Sequence, residues 1–181
     1  MAHVSSSAGR ILISAERIGQ RVRELAAQIE ADYDGAPLYL VAILKGSFMF
    51  LADLARAFEH TRVRIEFMGI SSYGNEKTSS GQVRVTKDLD ANIEDRHVLI
   101  VEDIVDSGIT LSYLIRLLEQ RRPQSLETVT LLDKASHRLQ PVRLKYVGFS
   151  IPDEFVVGYG LDYAEDYRNL REIRVLGVLG G

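Results

Sequence analysis

The chain has 181 residues, 46% of them hydrophobic and 26% charged, with 14 glycines, no cysteine and no tryptophan, a composition ordinary for a globular domain. Disulfides, iron–sulfur ligation and a thiol nucleophile are excluded, and His3, His60, His97 and His137 lack the spacing of a structural zinc site. Lysines and arginines number 22 against 25 acids, a net charge of −3, so a broad basic footprint for nucleic acid is not expected.

No stretch approaches the roughly 18 apolar residues of a membrane span, and Met1 to Arg10 is small and polar without the apolar segment of an export signal. The expected setting is cytoplasmic. The length suits a single domain over 1–181, because a chain of about 150 residues or more buries roughly 70% of its unfolded surface.

Ser14 is a plausible N-cap, and Ile18, Val22, Leu25 and Ile29 share one face of a helix that ends near Asp34-Gly35. Leu38 to Leu44 is an unalternating apolar run, as in a strand buried on both faces. Lys45-Gly46-Ser47 breaks it, and Phe48 to Phe58 reads as a helix. Val63 to Met68 alternates and predicts a strand with one more exposed face. Ser71 to Gln82 is rich in Ser and Gly, and Val83-Arg84-Val85 alternates again, so the stretch reads as a mobile hairpin tip.

His97 to Val101 is a second buried strand, closed by Glu102-Asp103 and followed by Asp106-Ser107-Gly108. Leu111, Leu114, Ile115 and Leu118 mark a helix closing at Arg121-Arg122-Pro123, and Val129 to Leu132 is a third buried strand ending at Asp133-Lys134. Beyond it only short segments follow. The alternation predicts an α/β fold with a parallel twisted sheet, right-handed crossovers and flanking helices, and a small lobe appended after residue 133.

Ligands of open α/β sheets bind beyond the carboxyl ends of the strands, so Lys45-Gly46-Ser47, Glu102 to Thr110 and Asp133-Lys134 should face one crevice. Asp106-Ser107-Gly108-Ile109-Thr110 sets two hydroxyls and a glycine at a helix N-terminus, where free N–H groups and the dipole favour an anion. Glu102 and Asp103, acceptor-only when ionised, suit sugar hydroxyls or a magnesium-bound polyol. A phosphate cradle just after two acids suits a sugar phosphate, while solvated acids and a simple helix cap would fit the same spacing. Asp88 to Asn92 begins like a calcium loop but has Ile93 and Leu99 where Gly and Glu are required.

Val101 to Thr110 resembles the phosphoribosyl pyrophosphate loop of type I phosphoribosyltransferases. Leu44-Lys45-Gly46-Ser47, Ser71-Ser72-Tyr73-Gly74, Leu132-Asp133-Lys134 and Phe155 to Tyr163 are similar, in order, to segments of the hypoxanthine-guanine branch in its bacterial style. The resemblance implies a phosphoribosyl pyrophosphate-binding core over 36–133, a mobile hairpin lid, and a purine-binding hood over 134–181 to which 1–35 could contribute. It further implies transfer of the phosphoribosyl group to hypoxanthine or guanine, giving IMP or GMP and pyrophosphate, with Mg2+ as cofactor.

Carried onto this chain, the resemblance assigns ribose hydroxyls to Glu102 and Asp103. The 5′-phosphate falls to Asp106, Ser107, Gly108, Ile109 and Thr110, with the Ile109 side chain turned away. Pyrophosphate falls to Lys45 and Gly46, with a non-proline cis peptide after Leu44, and to Arg168. Ser72 and Tyr73 would sit in the closing loop. Asp106 would act as base or acceptor at N7, Lys134 would donate to the 6-oxo group, Phe155 would stack, and Val156 would read the Watson–Crick edge together with Asp162. Glu102, Asp103 and Asp162 are the expected magnesium ligands. A homodimer or homotetramer is implied, with no nucleic acid or membrane partner. The alternative is a regulator of the same fold that senses phosphoribosyl pyrophosphate and binds nucleic acid, which would need a basic face that this acidic chain lacks.

Overall fold

The protein, analysed as a computed structural model, is described over residues 9–73 and 82–177. Strand β1 (Ile11–Ile13) leads into helix α1 (Ala15–Tyr33). There follow β2 (Leu38–Leu44), α2 (Phe48–Ala57), β3 (Val63–Tyr73), β4 (Gln82–Lys87), β5 (His97–Val105), α3 (Ile109–Glu119), β6 (Ser125–Asp133), β7 (Tyr146–Ser150), β8 (Val156–Val157) and β9 (Ile173–Val175). The Ser14 hydroxyl accepts from Arg17 N at 3.4 Å to start α1, which buries Ile18, Val22, Leu25 and Ile29 and stops where Asp34 turns left-handed.

The main sheet has six strands in the order β4-β3-β2-β5-β6-β7. All neighbouring pairs are parallel except β3 with the edge strand β4, which is antiparallel. The chain steps one way from β2 to β3 and the other way from β2 to β5. Phe50, Leu51 and Leu54 of α2 join one core cluster with α1, while Leu111, Leu114 and Leu118 of α3 join the other, so these two crossovers cover opposite faces. In β2, Leu38, Leu40 and Ala42 meet the first cluster and Tyr39, Val41 and Ile43 the second, which is why the run carries no alternation. The reversal of strand order between β2 and β5 opens a crevice at their carboxyl ends.

Two expectations need correction. The sheet continues past residue 133: Tyr146–Ser150 pairs with β6 in parallel, and only β8 and β9 leave it, forming a three-stranded antiparallel sheet with β1. As a short edge strand with mostly half-buried side chains, β7 lacks the continuous apolar run of its inner neighbours. Second, β5 does not close at Glu102-Asp103 but runs through Val105, so both acids belong to the strand. The expected closing loop is shortened by β3, which reaches Tyr73, and its remainder lies outside the described residues. Among the described residues no helix is long and apolar enough to cross a membrane.

Candidate functional site

At the end of β2 the buried Ser47 hydroxyl donates to Ile43 O at 2.6 Å and fixes a tight turn. The Leu44–Lys45 peptide is cis, as expected. Gly46 is squeezed between two elements: a Cβ there would lie 1.8 Å from Asp103 Oδ2, and one on Gly160, whose φ is +101°, would lie 2.0 Å from Gly46 O. These two glycines let the β2 turn, the β5 end and the segment after β8 meet.

The paired acids separate. Glu102 follows Ile100 on the α3 face and lines a cavity of about 200 Å³ with Ser107, Gly108 and Thr110. Asp103 takes the other face and lines a cavity of about 370 Å³ with Lys45, Gly46, Lys134, Phe155, Asp162 and Arg168, as the two-residue period of a strand requires. Burial pushes both carboxyls up, Glu102 well above its usual range with Asp103 adding to it, and Asp103 to about 6. The expected magnesium ligands Glu102, Asp103 and Asp162 are thereby divided, Glu102 lining the first cavity and Asp103 with Asp162 the second.

Asp106 lines both cavities. Its Oδ1 is buried without a hydrogen bond and lies 3.5 Å from His137 Nδ1. Gly108, at φ +79°, precedes α3, which begins without a side-chain cap. The Ser107 hydroxyl makes a long 3.4 Å contact with Ile109 N, and Ser107 O accepts from Leu139 N and Gln140 N at 2.9 and 3.0 Å. The result is an uncapped helix N-terminus on a braced loop, suited to an anion.

Lys134, only 8% exposed, is anchored through its backbone N–H to Val105 O and places Nζ 2.8 Å from Asp153 Oδ1. The other oxygen of Asp153 lies 2.6 Å from His137 Nε2. Phe155, 54% exposed, meets Tyr163 edge to face at 5.8 Å, leaving an apolar face available. Val156 pairs with Val175 of β9. Arg168 donates to Gly160 O at 2.7 Å and contacts Asp162 at 2.8 Å and Glu165 at 3.4 Å, while its buried Nε has no partner. Glu165 also reaches Lys45 Nζ at 2.7 Å and donates its N–H to Asp162 Oδ2 at 2.9 Å.

Thus Lys45, Gly46, Asp103, Asp106, Lys134, Phe155, Val156, Asp162 and Arg168 share one cavity, with Glu102, Ser107, Gly108 and Thr110 in the adjoining one. The side chains of Ser72 and Tyr73 lie outside what is described. Sequence reasoning missed Glu165, Asp153 and His137. The first two flank the segment Phe155 to Tyr163, Asp153 two residues before it and Glu165 two after it, and only contact geometry sets them apart. A larger cavity of about 780 Å³ lies away from the strand ends, beside Glu30, whose Oε1 accepts from the backbone N–H groups of Glu59, His60 and Thr61.

Residues 11–164 match the family model described as phosphoribosyl transferase domain. The chain is 49% identical over 167 residues to a hypoxanthine-guanine phosphoribosyltransferase of Bacillus subtilis (strain 168), covering 92% of each. It is 50% identical over 166 residues to one of Staphylococcus aureus, again covering 92% of each. A crystal structure of a hypoxanthine phosphoribosyltransferase from Staphylococcus aureus superposes with a TM-score of 0.93 at 47% identity, covering 98% of this chain and 97% of the other.

Proposed function

The chain belongs to the phosphoribosyltransferase family, and on that footing we propose that it is a purine salvage transferase joining hypoxanthine or guanine to phosphoribosyl pyrophosphate, with IMP or GMP and pyrophosphate as products. The observation that carries this is Asp106 lining both cavities, between the uncapped α3 terminus on one side and Lys134 with Phe155 on the other. A nucleotide needs that order: phosphate, ribose, then base.

The 5′-phosphate would rest on the α3 terminus and the hydroxyls of Ser107 and Thr110, with no lysine required because backbone N–H groups and the dipole supply the attraction. Glu102 and Asp103, on opposite faces of β5, would grip the ribose hydroxyls from separate sides. Phe155 would stack on the base, Lys134 would donate to the 6-oxygen, and the Val156 backbone would meet the Watson–Crick edge. Asp106 would take the N7 proton as N9 attacks C1′, the bond to pyrophosphate breaking as the new one forms.

Departing pyrophosphate gathers negative charge, which Lys45 and Arg168 would stabilise. Both cations are held by the Glu165 carboxylate, so pyrophosphate would take its place. Asp103 and Asp162 offer hard oxygen donors, and a buried carboxyl held up to about 6 is relieved by a cation. They fit magnesium bound through one or two carboxylates with the remaining positions filled by substrate oxygens and water. Bound there, the ion would neutralise leaving-group charge. The hairpin between β3 and β4 is the candidate lid, because water would hydrolyse a ribosyl cation. We place the enzyme in the cytoplasm as a homodimer or homotetramer, which would cover exposed side chains such as Phe48 and Ile65.

The test is nucleotide formation by purified protein with magnesium, phosphoribosyl pyrophosphate and hypoxanthine, guanine, xanthine or adenine in turn. Turnover with hypoxanthine or guanine and not adenine is expected. Folded protein that turns over no oxopurine sinks the proposal. The reading as a sensing regulator finds no support, since the named relatives are transferases.

A further inference from the structure

Lysine carries a compact charge on a flexible stem with three donors that no planar fork directs, so an ammonium that must find one oxygen of a ligand needs something to aim it. Lys134 has such a partner. Its Nζ lies 2.8 Å from Asp153 Oδ1, and Asp153 Oδ2 lies 2.6 Å from His137 Nε2. The carboxylate is therefore held from both sides. His137 itself sits on the short turn that follows Lys134, its N–H donating to Lys134 O at 3.2 Å, and its other ring nitrogen faces Asp106. Lys134, Asp153, His137 and Asp106 thus form a chain between the two groups that would grip neighbouring atoms of a purine.

We infer that Asp153 is a positioning residue that aims the Lys134 ammonium at the 6-oxygen of an oxopurine, with His137 bracing the carboxylate from behind; this rests on the reading of the site given above. One donor of Nζ engages Asp153, and two stay available for the ligand, so the pair survives binding. An ammonium only donates, so once aimed it matches a 6-oxygen and is mismatched to the donor hydrogens of a 6-amino group. Asp153 therefore serves discrimination as well as direction. The lysine contact in turn holds the Asp153 carboxyl below its usual range.

The experiment compares wild type, Asp153→Asn, Asp153→Glu and His137→Ala in steady-state kinetics with hypoxanthine, adenine and phosphoribosyl pyrophosphate, alongside thermal unfolding. Asp153→Asn is expected to raise KM for hypoxanthine about tenfold, the effect of misdirecting one charge-assisted hydrogen bond, with KM for phosphoribosyl pyrophosphate unchanged and the hypoxanthine-to-adenine preference reduced. Asp153→Glu should recover part of both, and His137→Ala should move them the same way by less. A merely structural role would lower thermal stability and leave the two KM values in proportion. An unchanged or lowered KM for hypoxanthine in Asp153→Asn, or equal changes in both KM values, overturns the inference. Lack of wild-type turnover with hypoxanthine overturns it together with the parent reading, and so separates the two failures.

Discussion

The Asp103 carboxylate fills the space where a side chain on residue 46 would begin: Oδ2 stands 1.8 Å from the position of a Cβ on Gly46. The turn after β2 and the end of β5 touch at this point, and the contact exists because residue 46 has no side chain. Gly46→Ala should force Asp103 out of the cavity. Forced shifts of this kind cost about 1–3 kcal/mol, so a lowered thermal midpoint is expected together with a turnover loss of about tenfold or more. Chemical denaturation and initial rates check the two parts, and a variant with wild-type kinetics would show that the carboxylate position is not needed.

Glu165 stands between Lys45 and Arg168. The Lys45 pair is largely exposed, 65% on each side, and solvent screening leaves pairs of that kind little net stabilisation. Glu165→Gln should therefore leave stability nearly unchanged while removing a competitor for the leaving group. KM for phosphoribosyl pyrophosphate is expected to fall several-fold, as is the inhibition constant of pyrophosphate. A rise in either would make Glu165 part of substrate binding instead of an occupant that gives way.

Asp106 presents a buried, unbonded carboxylate oxygen where the two cavities meet. Asp106→Asn keeps the shape and removes the base, so turnover should drop by more than about tenfold, within the range for loss of a general acid–base group. Substrate affinity measured by calorimetry should change far less. An unchanged rate would remove Asp106 from the proton transfer.

The acids of β5 give the protein a pH signature. Burial raises Asp103 from 3.8 to about 6, so between those values the folded state binds the proton more tightly than the unfolded chain. Stability is therefore lost as pH rises through this window. Asp103→Asn carries no charge to bury and should unfold a few degrees above wild type at pH 7.5, with the difference closing as pH falls toward 4. Glu102 is shifted in the same direction. Parallel melting curves from pH 4 to 8 test this, and a constant difference across the range would assign the effect to packing alone.

The inner strands could be read directly because burial on both faces leaves an unbroken apolar run, as at Leu38 to Leu44 and His97 to Val101. The loop before α3 was equally legible as a turn into a helix, since Gly108 and the hydroxyls around it stand next to one another in the chain. Strand β7 was not, because an edge strand half covered by solvent has no such run. Glu102 and Asp103 are neighbours in the sequence, and their placement on opposite faces follows from strand periodicity only once β5 is known to continue through Val105.

Local order along the chain was enough to specify the buried strands, the helix faces and the glycine turn into α3, since each depends on residues within a few positions of one another. The partners of the charged groups required the folded molecule. Lys45 meets Glu165 across 120 positions, and Gly46 admits Gly160 across 114, which brings the turn after β2 against the segment after β8. Coulomb and contact interactions depend on distance in space, and the crossing of the chain between its two sheets sets that distance.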